Sequence, residues 1–181
     1  MQSIGFSLYM EMLEQTVKVM QTTGQPPQLD EPLQQDTEVN LNLAALIPEA
    51  YLPDVHNRLI LYQRIANADN TDQLHELQVE MIDRFGLLPQ AVKHLLRQTE
   101  LKQRAHKLGV TRIEANTTSG KLKFSSNTRV NPLALVQMVH KQPHRLRLEG
   151  STTLRLICSM EHPQTRFQQL ENLLKQLAQI G

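Results

Sequence analysis

The sequence predicts an α+β fold: an amino-terminal helix and linker, a helical segment, then a four- to five-stranded, mainly antiparallel sheet with helices packed on one side. Two patterns predict it. Apolar residues recur at helical intervals from residue 53 to 108, and the remainder runs hairpin-helix-hairpin-helix. The composition adds that 40% of the residues are hydrophobic but only 4% are aromatic, so leucine must fill most of the core.

The first 37 residues divide into a helix and a linker. Ile4, Leu8 and Met12 lie at helical spacing within residues 1–20, which predicts an amphipathic helix. Residues 21–37 hold three prolines, a glycine and few large apolar side chains, a composition typical of a mobile linker. The main domain is therefore expected to cover residues 38–181.

A short strand and three helices are predicted next. The strand lies in VNLNL, where apolar residues alternate with asparagines. The first helix places Val55, Leu59 and Ile65 on one stripe. Asn70 or the residue after it caps the second helix, and Gly86 ends it in a left-handed turn. The third helix runs to about residue 108.

The second helix carries the candidate functional residues, which are Glu76, Glu80, Asp83 and Arg84. They lie opposite an apolar stripe of Leu74, Leu77, Met81 and Phe85, so leucine packing should hold them outward. General acid-base catalysis needs a desolvated carboxylate, and a solvated one beside an arginine stays ionised. The spacing leaves two interpretations open: a solvated helix face, or a surface that docks on another protein and gains orientation from its charges.

Residues 110–181 contain two similar halves. TRIEA, NTTSG and KLKFS form a hairpin before a helix that starts at Asn131 and Pro132. LRLE, GS and TLRLIC form the second hairpin before a helix that starts at His162 and Pro163. The apolar strand residues should point to one face, which both helices cover.

Motifs for catalysis or cofactor binding are absent from the sequence. Neither GxxxxGK[ST] nor GxGxxG occurs, so no cofactor and no enzymatic activity are expected. His140 and His144 have a zinc-like spacing, but Pro143 interrupts the helix between them. Cys158 closes an apolar strand and is interpreted as a small buried residue. Without an apolar run of about 20 residues, the protein is expected to be cytoplasmic, with no membrane partner.

Charge is distributed unevenly along the chain. Residues 1–60 carry two basic and eight acidic side chains, whereas residues 101–181 carry thirteen and four. The basic third either lies against an acidic surface or, as an alternative function, forms a nucleic-acid-binding module within residues 102–155. The basic residues of that alternative are Lys102, Arg104, Lys107, Arg112, Lys121, Lys123, Arg145, Arg147 and Arg155.

Three longer stretches resemble a known family. LIPEAYLPDVHNRLILYQRIANA, ELQVEMIDRFGLLPQAVKHLL and ELKQRAHKLGV are similar to the carboxyl-terminal domain of bacterial transcription-repair coupling factors (Mfd). The resemblance covers about residues 38–140. The opening IGFSLYMEMLEQTV is similar to the end of that family's helicase-like motor, and the last 40 residues match less distinctly.

The resemblance implies a regulatory role. Members of the family are ATP-driven double-stranded DNA translocases that displace stalled RNA polymerase and recruit the repair protein UvrA. Their carboxyl-terminal domain packs on a UvrB-like module of the same polypeptide and covers its UvrA-binding surface. By this resemblance Glu76, Glu80, Asp83 and Arg84 would face the UvrB-like module, and the isolated domain would be a non-catalytic monomer.

Overall fold

The structure, a computed structural model, describes residues 37–181. The helix predicted at residues 1–20 and the predicted linker, except for Thr37, lie outside the described residues. The described chain forms five helices and five strands in two compact units. The first unit includes residues 45–96, and the second is made of residues 37–44 and 97–181.

The first unit is helical. It contains α1 (Val55–Ala66), α2 (Thr71–Phe85) and the first part of α3 (Gln90–Leu108). Its core is formed by Ile47, Leu52, Leu61, Ile65, Ala68, Leu74, Leu77, Met81, Leu88, Val92 and Leu96. The stripe predicted for α1 is partly wrong, because Val55 is 59% exposed and Leu61 takes the buried position. A shift along the helix face brings Leu61 and Ile65 into the core together.

The second unit is built on a five-stranded sheet in the order β1-β2-β3-β5-β4. The strands are β1 (Glu38–Asn40), β2 (Val110–Ala115), β3 (Ser119–Phe124), β4 (Leu146–Glu149) and β5 (Thr153–Ile157). All neighbouring pairs are antiparallel except β1 and β2, which are parallel. The predicted α+β class, strand number and hairpin-helix repeat are confirmed.

Helices cover one face of this sheet. The second part of α3, α4 (Pro132–Lys141) and α5 (Pro163–Gln179) contribute to one core with the inward strand residues. Phe167 and Leu170 of α5 and Ile113, Leu122 and Leu154 of the sheet are fully buried there. No helix of residues 37–181 lies on the opposite face, which holds the alternate, polar strand positions. The alternation in the strands thus matches a sheet with one buried face.

A bulge in β2 lets two residues that are three positions apart both point inward. Val110 pairs with Phe124, whereas Arg112 pairs with Lys123, which leaves Thr111 as the extra residue. Val110 and Ile113 are both buried as a result. The same shift turns Arg112 to the open face of the sheet.

The strand predicted in VNLNL is shorter than its pattern indicates. β1 ends at Asn40, and Asn42 adopts a positive φ of 53°. The Asn42 Nδ2 donates to the Ala115 carbonyl at 2.9 Å. Asparagine tolerates this backbone region better than most residues, so the chain leaves the sheet here while Leu41 stays buried.

An arginine is buried beside this strand. Arg166 is 3% exposed, and its guanidinium donates to the carbonyls of Leu41 at 2.7 Å and of Met160 at 3.0 and 3.2 Å. Backbone carbonyl dipoles therefore solvate its charge, and no carboxylate of residues 37–181 pairs with it. Arg166 ties α5 to the chain that follows β1 and to the loop after β5.

Candidate functional site

Helix α2 presents the four predicted site residues, and its two ends are fixed by specific residues. The Asn70 side chain accepts from the Gln73 amide at 2.9 Å and caps the amino end. Gly86 ends the helix with φ +93° and ψ −169°. The predicted left-handed turn is thus wrong in detail: φ is positive, but the extended ψ belongs to a region that only glycine occupies readily.

Aromatic contacts support the turn at Gly86. The Tyr51 hydroxyl lies 3.0 Å from both the Met81 and the Gly86 carbonyl oxygens. The Phe85 ring packs edge-on against Tyr51, with centroids 6.1 Å apart and planes at 72°. The Arg84 guanidinium lies 4.8 Å from the centre of the Phe85 ring. The end of α2 is therefore held in one geometry by its own neighbours.

The four residues form what we term the charged edge: Glu76, Glu80, Asp83 and Arg84. Glu76, Asp83 and Arg84 are exposed, and Glu80 is half-buried. Both oxygens of Glu80 accept from Arg64 of α1, at 2.7 and 2.6 Å, and Arg84 donates to Oε1 at 3.1 Å. In the part of the chain that the structure describes, Glu76 and Asp83 form no ion pair.

The two arginines keep Glu80 ionised. The hydrogen bonds from Arg64, followed by those from Arg84, lower the pKa of Glu80 to about 2. A carboxyl with this pKa is a poor proton donor or acceptor near neutral pH, because efficient acid-base groups titrate near the working pH. Glu80 is therefore poorly suited to acid-base catalysis near neutral pH.

Apolar residues flank the charged edge. Leu87 is 87% exposed, Val79 is 55% exposed and Ile82 is 39% exposed. Leu87 follows Gly86 directly, whereas Leu88 is 7% exposed and belongs to the core. Sequence reasoning missed Leu87. Two adjacent leucines after a helix-ending glycine were the available signal, because a single turn of chain can bury only one of them.

Sequence reasoning also missed Arg64. Arg64 lies sixteen residues before Glu80 on a different helix, and only the packing of α1 against α2 brings them together. No local pattern reports that contact. The structure thus unites Glu80 and Arg84 with Arg64 in one network and leaves Glu76 and Asp83 outside it.

The nine basic residues of the alternative function do not form one surface. Lys102, Arg104 and Lys107 lie on α3, which packs on the covered face of the sheet. Arg145 precedes β4 and donates to Gln169 of α5 at 2.7 Å. The other five lie on the open face: Arg112, Lys121, Lys123, Arg147 and Arg155.

The candidate metal and thiol positions do not converge into a site. His140 ends α4 and His144 lies beyond Pro143, outside the helix. In residues 37–181 no group of three or more histidine, cysteine or acidic side chains is placed to hold a metal ion. Cys158 is partly buried, and this burial raises the pKa of its thiol. No helix among these residues is long and apolar enough to cross a bilayer.

Fold and site together define a class: an α+β domain with a five-stranded mixed sheet and a charged edge on a separate helical unit. The chain belongs to the TRCF domain family, whose sequence model matches residues 41–135. It is 41% identical over 177 residues to the transcription-repair-coupling factor of Escherichia coli (strain K12) and 42% identical over 177 residues to that of Haemophilus influenzae.

These relatives are much longer proteins. The matches cover 98% of this chain but only 15% of each relative. A solved structure is also similar: the crystal structure of a C-terminal domain of transcription-repair coupling factor aligns with a TM-score of 0.68. It covers 80% of this chain and 93% of that chain at 24% identity, which supports the fold alone.

Proposed function

We propose that the chain is the carboxyl-terminal region of a transcription-repair coupling factor. In this proposal residues 1–20 are the end of the helicase-like motor, residues 21–37 are a linker and residues 38–181 are a regulatory domain. The domain is a non-catalytic clamp that packs on the UvrB-like module of the same polypeptide. It masks that module's UvrA-binding surface until repair factors are recruited. Family membership and the 98% coverage of the chain support this assignment.

The activities of the whole protein lie in this proposal outside the chain. ATP hydrolysis, double-stranded DNA translocation and RNA polymerase binding belong to segments that these residues do not include, since the chain spans 15% of its relatives. The whole protein acts in the cytoplasm, in transcription-coupled nucleotide excision repair. The domain contributes autoinhibition and needs no cofactor.

The charged edge is the observation that carries the proposal. Glu76 and Asp83 are exposed acids without an ion pair in the described residues, and Arg84 is fixed between Glu80 and Phe85. Leu87 stands beside them at 87% exposure on a turn that Tyr51 buttresses. A rigidly presented apolar side chain with charges around it is the arrangement that protein interfaces use as an anchor and rim.

The same geometry suits a contact that must release. An exposed ion pair contributes about 0.2–1 kcal/mol. Charge-assisted pairs from Asp83, Glu76 and Arg84 to arginines and acids of the UvrB-like module would therefore shift a closed-to-open equilibrium by about tenfold without sealing it. Glu80 has a supporting part here, because its carboxylate is already engaged by Arg64.

The test is charge reversal in the full-length protein. Glu76→Lys with Asp83→Lys should open the clamp and increase UvrA capture in a pull-down by about tenfold. Glu49→Lys with Asp69→Lys is the matched control, because both acids are exposed in the same unit and the change in net charge is equal. Capture that is unchanged by the first pair, or raised equally by both, would contradict the proposal.

A second variant separates packing from charge. Leu87→Asp should also raise UvrA capture, since it removes the exposed apolar side chain and leaves the α2 core untouched. Glu80 is a poor choice for this test, because its reversal would also disrupt the contact between α1 and α2.

A further inference from the structure

The open face of the sheet in the second unit has an excess of cations. It carries Arg112, Lys121, Lys123, Arg147 and Arg155 against three carboxylates, Glu38, Glu114 and Glu149. The unit that contains it, residues 37–44 and 97–181, has fourteen basic and six acidic side chains, a net charge of +8. The described residues of the first unit, 45–96, have four basic and seven acidic side chains, a net charge of −3.

The register brings like charges together on this face. Lys121 of β3 lies opposite Arg155 of β5, and Arg155 lies opposite Arg147 of β4. Arg112 and Lys123 are likewise opposite each other on β2 and β3. Like charges placed directly across neighbouring strands destabilise a sheet. Electrostatic repulsion among these neighbouring cations therefore lowers the stability of the sheet locally.

The carboxylates neutralise this face only in part. Glu149 accepts from Arg155 at 2.9 Å and lies 3.3 Å from the Lys121 ammonium, and Arg112 pairs with Glu114 at 2.8 Å. Lys123 and Arg147 form no ion pair with any described residue. The exposed Lys123 ammonium and Arg147 guanidinium thus remain available for an anion.

From this placement we infer that the open face binds the phosphodiester backbone of duplex DNA. Lys121, Arg155 and Arg147 form a row of cations across β3, β5 and β4, and Arg112 and Lys123 form a second pair across β2 and β3. Neighbouring strands lie about 4.8 Å apart. A phosphate backbone supplies regularly repeated anions to such a row. The contact is independent of base sequence, because it offers charges to the backbone and no reading element to a groove.

The side chains of this face favour duplex DNA over two other partners. Its strand positions hold no aromatic residue on which unpaired bases could stack, since Phe124 points into the core. An acidic protein partner would need an apolar anchor, and the only large apolar side chain on the strands of this face is Ile157, which is half-buried opposite Ser119. A duplex that binds through its backbone phosphates needs neither an aromatic stacking residue nor an apolar anchor.

The inference is tested on this chain with a fluorescent duplex, by anisotropy across a salt series. If about three phosphates are contacted, log Kd should change with log salt at a slope of about 2.7, so affinity falls about 40-fold from 50 to 200 mM salt. Lys123→Glu with Arg147→Glu should weaken binding by about tenfold or more. Both side chains are exposed and unpaired, so the fold should not change.

The matched control is Arg104→Glu with Lys107→Glu on α3. It alters net charge by the same amount on the other side of the sheet and should leave affinity within about threefold. Equal losses in both pairs would show attraction by net charge alone and overturn the inference. So would an absence of duplex binding at 50 mM salt, or preferential binding of an acidic polypeptide over the duplex. The neutral variant Lys123→Gln with Arg147→Gln should also weaken duplex binding, which would show that the loss of affinity comes from removing the cations and not from the added carboxylates.

Discussion

A carboxylate between two cations occurs in each unit, and the two arrangements differ. Glu80 in the helical unit receives two bonds from Arg64, at 2.7 and 2.6 Å, and a third from Arg84. Glu149 in the sheet unit receives one bond from Arg155 at 2.9 Å and lies 3.3 Å from the Lys121 ammonium. Both pKa values are lowered by these partners, that of Glu80 to about 2.

The difference shows that the two carboxylates have different structural roles. Arg64 and Glu80 join two neighbouring helices, so the pair fixes α1 against α2 and the acids outside it are left for other contacts. Glu149 stands among cations from three strands and compensates repulsion that the register itself creates. The helical unit thus combines a tight ion network with an acidic surface, and the sheet unit retains a surplus of positive charge.

The largest predicted effect is on the core beneath the sheet. Phe167→Ala should destabilise the protein by about 3–5 kcal/mol, because the ring is fully buried and its loss leaves a cavity. Urea unfolding of both variants measures it. Leu133→Ala is the control in the same unit, and at 76% exposure it should change stability by less than about 0.5 kcal/mol. Similar values for the two would contradict the core assignment.

The buried arginine should give the next largest effect. Arg166→Met removes donors to the Leu41 and Met160 carbonyls while keeping most of the side-chain volume. We expect a loss of about 2–4 kcal/mol in the free energy of unfolding, since buried acceptors without partners are costly. Arg129→Met is an exposed control. A neutral effect of Arg166→Met would mean that burying the apolar chain compensates for the lost bonds.

Arg166 also shows where sequence reasoning stops. The pattern predicted α5 from the spacing of Phe167, Leu170, Leu174 and Leu177, and all four are buried. Arg166 lies on the same side of the helix, yet a charge is expected outside. The Met160 carbonyl, six residues away, accepts two of its hydrogen bonds, but the third acceptor is the Leu41 carbonyl, 125 residues away in sequence. Only the packing of α5 against the chain after β1 provides that acceptor.

Sequence patterns report contacts between residues that are close in the chain. They therefore predicted the ends of helices well but missed the surfaces that form when distant segments pair. Asn70 and Asn131 cap α2 and α4 through atoms two or three residues away, so the sequence contains the whole interaction. The parallel joining of β1, the bulge at Thr111 and the alignment of Lys121 with Arg155 depend on pairing across the chain. The charged edge was predictable because one helix carries it, whereas the row of cations on the sheet was not.

The smallest predicted effect sharpens the comparison of the two carboxylates. Glu80→Gln should lower the free energy of unfolding at neutral pH by about 0.5–1 kcal/mol, the range for a partly exposed ion pair with good geometry. The folded pKa is depressed, so this contribution is complete above the unfolded value near 4.5 and disappears as pH falls toward about 2. Unfolding curves of both proteins should therefore converge over that interval.

Glu149→Gln provides the matched variant for this comparison. Its pKa is also lowered, by the Arg155 hydrogen bond first and by Lys121, so its contribution should fade with acid in the same direction. Added salt separates the two, because a bidentate bond retains its geometry when long-range attraction is screened. We expect 0.5 M salt to diminish the Glu149 effect more than the Glu80 effect. The reverse order would mean that the sheet carboxylate, and not Arg64 with Glu80, is the more firmly fixed ion pair.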